Sequence, residues 1–170
     1  CVSYSGQCYM SYALGGRSGN RGVCAQPCRK KFSIYTTDGK LIGKNKHFLS
    51  LKDMSQADNL EALIDAGINS FKIEGRLKDE NYIKNIVGFY RQKIDELLER
   101  KSLAGSSSGQ VNIGFSPHID KTFNRGYSDY FLTGRQQNIA AIDTPKMKGE
   151  YLGKIAKIRK TNFVLDQERK

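Results

Sequence analysis

No stretch of this sequence approaches the roughly 20 consecutive apolar residues that a membrane span requires, so no transmembrane helix is expected. The first residues are polar, carry a cysteine at position 1 and offer no hydrophobic leader, which argues against secretion. An oxidising compartment is therefore not expected, and the cytoplasm is. Only two histidines occur, His47 and His118, and there is no H-E-x-x-H. That absence removes the helix-borne zinc site of a metalloprotease. No cysteine follows Cys28, no acidic residue precedes Asp38, and no internal repeat is visible.

What is present reads as a globular protein. The 170 residues are 38% hydrophobic and 26% charged, enough for one respectable core and a small second module. A first residue of Cys rather than Met points to a piece of a longer chain. The net charge of +11 is unevenly spread. Residues 1–37 hold five basic groups, Arg17, Arg21, Arg29, Lys30 and Lys31, and no acid. Residues 38–110 are nearly balanced, with twelve basic against eleven acidic, whereas residues 111–170 carry eleven basic against six acidic. A basic end around a polar, glycine-rich loop is what a polyanion binder shows, because neutralised phosphates release counterions. The bland alternative is a solvated basic surface, since charge alone specifies no partner.

Along the chain, residues 1–31 read as an irregular cysteine-rich loop, neither helix nor strand. Phe32 to Ile42 predicts a β-hairpin with Asp38-Gly39 as its turn. A βαβα passage follows. His47 to Lys52 is the first strand; Ser55 caps a helix, with Asp58 as its capping-box acid and Gly67 as its left-handed end. Ser70 to Glu74 is the second strand, and residues 79–100 form the longest helix, with Ile83, Ile86, Val87, Tyr90, Ile94, Leu97 and Leu98 at helical spacing. Two strands joined by a helix should lie parallel. Residues 32–101 thus read as an α/β unit, the end of a (β/α) barrel whose first strands are missing. Residues 102–110 have a linker's composition. Residues 111–170 predict the start of a small β domain, with strands at Tyr127–Leu132, Tyr151–Lys157 and Asn162–Leu165.

The four cysteines are spaced C-x6-C-x15-C-x3-C, at Cys1, Cys8, Cys24 and Cys28. Structural zinc and an iron–sulfur cluster both suit four soft thiolates; zinc sites usually show two closely spaced pairs, and here only the last pair is close. Spacing alone leaves the two level. Charges at the C-terminal ends of the expected strands form a second constellation: Lys52 and Asp53 on the first, Glu74 and Arg76 on the second. Lys72 and Glu74 alternate with Phe71 and Ile73, so in a buried strand they share one face and are costly unless paired or used.

Several of these segments resemble one family. Cys1-Val2-Ser3-Tyr4-Ser5-Gly6-Gln7-Cys8, Gly16-Arg17-Ser18-Gly19-Asn20-Arg21-Gly22 and Cys24-Ala25-Gln26-Pro27-Cys28-Arg29 are similar to the signature region of the collagenase-like U-thirty-two peptidase family. Leu49 to Asp53, Phe71 to Arg76, Lys121 to Gly126 and Asp129 to Phe131 continue the likeness over nearly the whole chain. It is strongest to the branch that hydroxylates a cytidine of large-subunit ribosomal RNA. The resemblance implies a barrel-like catalytic domain followed by a β-rich domain, and a four-iron cluster on Cys1, Cys8, Cys24 and Cys28. It also implies RNA as substrate and a prephenate-derived co-substrate.

On that expectation Arg17, Arg21, Arg29, Lys30 and Lys31 engage phosphates. Glu74 and Arg76, with Lys72 and Asp53, position a base or a small acid. No obligate protein partner is evident. Two other functions compete: a peptidase, as the family name says, and a zinc-stabilised RNA-binding module without catalysis. The peptidase lacks visible machinery, because a cysteine committed to metal cannot serve as a nucleophile.

Overall fold

The computed structural model describes residues 7–75, 78–105, 108–109 and 111–166. It is mixed α/β, with short helices, one long helix and three two-stranded sheets among the described residues. The N-terminal segment is not wholly irregular as expected: Met10–Gly15 forms a helix (α1), ended by Gly16 at φ 70°. Met10, Ala13 and Leu14 are adequate helix formers, and the glycine count had masked them.

The hairpin falls where the sequence placed it. Phe32–Tyr35 (β1) pairs antiparallel with Leu41–Lys46 (β2). Gly39, at φ 85°, closes the turn by donating its N–H to the Thr36 carbonyl at 3.0 Å.

The next strand is displaced. His47 to Ser50, expected as strand, is a turn in which the Ser50 N–H reaches the His47 carbonyl at 2.9 Å. Leu51 makes an isolated bridge to Ala140, and Asp53–Met54 (β3) pairs parallel with Tyr127–Ser128 (β4). The backbone of this stretch is satisfied from far along the chain: Lys52 N–H by Ile139, Asp53 N–H by Gly126, Ser55 N–H by Ser128. The division expected at 102–110 is thus crossed by a ladder. Ser70 to Glu74, expected as the second parallel strand, is irregular. No strand among the described residues pairs with it, and an unpaired extended segment has no ladder to hold it.

The first expected helix is shorter than predicted, Leu60–Asp65 (α2), with Asn59 at its cap position and no side-chain cap bond. Ser55 does not cap it; its hydroxyl shares a hydrogen bond with the Tyr90 phenol at 3.0 Å. Gly67, at φ 89°, follows α2 as expected. The long helix is Glu80–Arg100 (α3), capped by the Asp79 carboxylate accepting the Tyr82 N–H at 2.7 Å. Its apolar stripe is only partly covered: Ile86 is buried, while Ile83 and Val87 are exposed.

The expected strand Tyr127–Leu132 shortens to β4, because residues 130–134 turn. Lys154–Ile158 (β5) and Phe163–Asp166 (β6) form the C-terminal hairpin. Every residue of β5 is exposed. Among the described residues the buried hydrophobic side chains are Ala57, Leu60 and Ile86, outnumbered by buried Ser11, His47, Ser50, Asn124 and Ser128. The interior is therefore organised by polar bonds as much as by apolar burial. No helix among the described residues is long and apolar enough to cross a membrane.

Candidate functional site

The thiols sit on short turns braced from below. Buried Ser11 on α1 accepts the Ala25 N–H at 2.9 Å, fastening the helix to the segment that carries Cys24. The Cys24 sulfur accepts the Gln26 N–H at 3.2 Å, and Gln26 takes a left-handed φ of 54° that turns the chain toward Cys28. Cys8, Cys24 and Cys28 are free and half-buried. Burial pushes the Cys28 thiol up; the Arg29 cation opposes that shift, and the neighbouring Cys24 and Cys8 add to it. Of the described sulfurs, Cys28 thus lies within electrostatic reach of the other two. Among the described residues no three His, Cys, Asp or Glu side chains are set to hold one metal ion. Cys1 lies outside the described residues.

Arg29 joins the thiols to β3. Its Nη1 donates to Ser50 Oγ at 2.8 Å and to the Leu51 carbonyl at 2.6 Å, while its own carbonyl accepts from His47 Nδ1 at 2.8 Å. This residue, expected on phosphate, turns inward. The other four expected phosphate contacts, Arg17, Arg21, Lys30 and Lys31, are exposed, and Arg17 also donates through Nε to the Val23 carbonyl at 2.8 Å.

Beyond Leu51 lies a cluster of cations around one carboxylate. Asp53 accepts the Arg125 backbone N–H at 2.8 Å and its Nη1 at 3.0 Å. Arg125 Nε donates to the Pro145 carbonyl at 2.9 Å. The Phe123 ring is approached by the Lys78 ammonium at 3.2 Å and by the Arg125 guanidinium at 4.6 Å. Burial pushes both Lys78 and Arg125 down; Arg29 lowers both further, Arg125 also lowers Lys78, and Asp53 resists in each case. Cys28 is also close enough to favour the charged form of Arg125. Tyr130 donates to the Lys52 carbonyl at 2.7 Å, and burial pushes its phenol up to about 12. Tyr127, bonded to the Ile119 carbonyl at 2.8 Å, is raised further by the same cause.

The turn that presents Arg125 is built locally. Asn124 is only 1% exposed; its Oδ1 accepts the Gly126 N–H at 3.0 Å, and its Nδ2 donates to the Thr122 carbonyl at 3.0 Å. Arg125 alone bonds the Asp53 carboxylate, while Lys78 lies near enough for Asp53 to favour its charged form, so positive charge exceeds negative here.

Of the residues expected to position substrate, Asp53 belongs to this cluster. Lys72 and Glu74 lie on the irregular segment and are exposed, not turned to a buried inner face, since that segment forms no sheet here. Arg76 lies outside the described residues. Sequence reasoning gave no role to Lys78, Phe123 or Arg125. The Asn124/Gly126 pair around Arg125, a compact turn beside an aromatic, was the signal available.

The model of Peptidase family U32 matches residues 1–141. The chain is 50% identical over 164 residues to the "23S rRNA 5-hydroxycytidine C2501 synthase" of Escherichia coli, covering 96% of this chain and 25% of that protein. It is 31% identical to the "tRNA hydroxylation protein P1" of Bacillus subtilis over 96% of this chain and 37% of that one. A protein of Porphyromonas gingivalis named "Collagenase" is 29% identical over 80% of this chain and 36% of its own length. The chain thus spans about a quarter to just over a third of these relatives. No solved structure matches it.

Proposed function

The chain belongs to peptidase family U32, and from that premise we propose that it is part of an enzyme that hydroxylates a cytidine of ribosomal RNA. The observation that carries this reading is the 50% identity, over 96% of the chain, with a protein named for forming 5-hydroxycytidine in 23S rRNA. Residues 32–101 are on this reading the end of a larger barrel, whose remaining strands would cover the exposed stripe of α3.

Cys1, Cys8, Cys24 and Cys28 would hold an iron–sulfur cluster of the four-iron type. Three half-buried free thiols, Cys28 standing near the other two, form a soft donor set that fits such a group. When bound, the cluster supplies one-electron chemistry. The chain's own residues bind and orient. Arg29 ties the thiol turns to Leu51, and Lys78 and Arg125 present positive charge toward an anionic group of the RNA or of a small carboxylate co-substrate of the prephenate-derived kind. Glu74, Arg76 and Lys72 would position the base once the missing strands are beside them. Arg17, Arg21, Lys30 and Lys31 would meet phosphates along the rim.

The test is mass spectrometry of ribosomal RNA from a strain lacking the protein. One hydroxylated cytidine should disappear, return with the wild-type gene, and stay absent with Cys24→Ser. Persistence of every hydroxylated nucleoside in the deletion strain would sink the reading. Anaerobic reconstitution should give iron and sulfide with broad visible absorption; tight zinc with no iron uptake would favour the non-catalytic zinc module instead. The name of the collagenase relatives supports a peptidase as second reading. Against it, His47 is occupied by the Arg29 carbonyl and His118 is an exposed residue 4.0 Å from Asp120. Among the described residues neither ring is hydrogen-bonded to a cysteine sulfur.

A further inference from the structure

The C-terminal hairpin carries a pattern that the proposed site does not use. Side chains alternate between faces along a strand, so Lys154, Ile155, Ala156, Lys157 and Ile158 would ordinarily mix charge and apolar groups on both faces. The ladder prevents this. Its register runs Lys154↔Asp166, Ile155↔Leu165, Lys157↔Val164 and Ile158↔Phe163, with an irregularity between Ile155 and Lys157. Ala156 is the extra residue, and a bulge of one residue shifts every later side chain to the other face. Lys154 and Lys157 therefore share one face, while Ile155, Ile158, Phe163 and Leu165 share the opposite one. At the tip, closed by the Arg159 N–H on the Asn162 carbonyl at 2.7 Å, Arg159 and Lys160 extend the charge.

From Lys154 to Lys160 there are four cations and no acid, and all are exposed. Among the described residues of the ladder, the acid opposite is Asp166, across from Lys154. Such a ribbon edge gains little from its own chain and much from releasing the counterions of a polyanion. We infer that the Lys157–Lys160 edge of β5–β6 is a second RNA-docking surface, separate from the thiol end of the molecule, that grips phosphates without reading bases. This rests on the RNA reading given above. Its ligand is the phosphate backbone, so its effect is on affinity and salt dependence, not on the chemical step.

The test measures binding of the whole protein to a ribosomal RNA stem-loop across a salt series. The triple variant Lys157→Gln, Arg159→Gln, Lys160→Gln should flatten the slope of log affinity against log salt by roughly 2 to 3, at about 0.7 to 0.9 per lost contact. The charge-keeping variant Lys157→Arg, Arg159→Lys, Lys160→Arg should restore the wild-type slope. Neutralising Lys84 and Lys93 on α3, which pair with Glu80 and Asp58, should leave it unchanged. An unchanged slope in the triple variant overturns the hairpin's role while leaving the hydroxylation reading intact. A wild type indifferent to RNA at every salt overturns both, as does retention on phosphatidylserine vesicles without RNA binding.

Discussion

Two basic regions of this molecule handle their charge in opposite ways. Around β3 the cations are enclosed: Arg29 is spent on a hydroxyl and a carbonyl, Arg125 on Asp53, Pro145 and a ring, and Lys78 on the same ring. On β5–β6 the cations stand in solvent, with Asp166 across the ladder from Lys154. Enclosed charge shapes a site and costs stability when its partner is removed. Exposed charge costs almost nothing to remove and acts only on what approaches from outside.

The sharpest attempt to break this contrast is Asp53→Ala. It strands the Arg125 guanidinium and backbone N–H together, and should lower stability by about 2–4 kcal/mol in urea unfolding. A loss below about 0.5 kcal/mol, the size expected of an ordinary surface change, would make the two regions alike.

An intermediate effect is expected from alkali. The Tyr130 phenol, ordinarily near 10, is raised to about 12 by burial. Below its ordinary value the proton is held in both folded and unfolded chains, so pH has no leverage there. As pH climbs from about 10 toward 12, the unfolded chain releases a proton that the folded one keeps, and stability falls by up to about 1.4 kcal/mol per unit. Tyr130→Phe should flatten that decline in denaturation curves taken across the same range. The smallest effect belongs to the hairpin: the triple neutralisation at Lys157, Arg159 and Lys160 should move thermal unfolding by no more than about 0.5 kcal/mol.

What the sequence disclosed follows the same division. Elements held by neighbours in the chain were legible: the hairpin turn at Asp38-Gly39, α3 with its Asp79 cap, the glycine after α2, and β5–β6. Elements held from afar were not. β3 moved because its ladder partner comes from residues 127–128, and local alternation cannot announce that. Ser70 to Glu74 had the alternation of a strand, but no strand among the described residues pairs with it. Ser55 had the chemistry of a cap, yet Tyr90, 35 residues on, took its hydroxyl. Within the candidate site, type and spacing single out the cysteines. Arg125 and Lys78 were missed because their meaning comes from Asp53 and Phe123, and periodicity is blind to a partner 72 residues away.

That distance also orders events at the ribosome. The thiols and Arg29 emerge early, but the segment Arg29 grips is held in place by Gly126, Ser128 and Ile139, which are made much later. The nascent chain therefore exposes its sulfurs for a long interval with no wall behind them. The order of synthesis therefore sets when the thiol turns gain the support that Arg29 relays from the downstream segment.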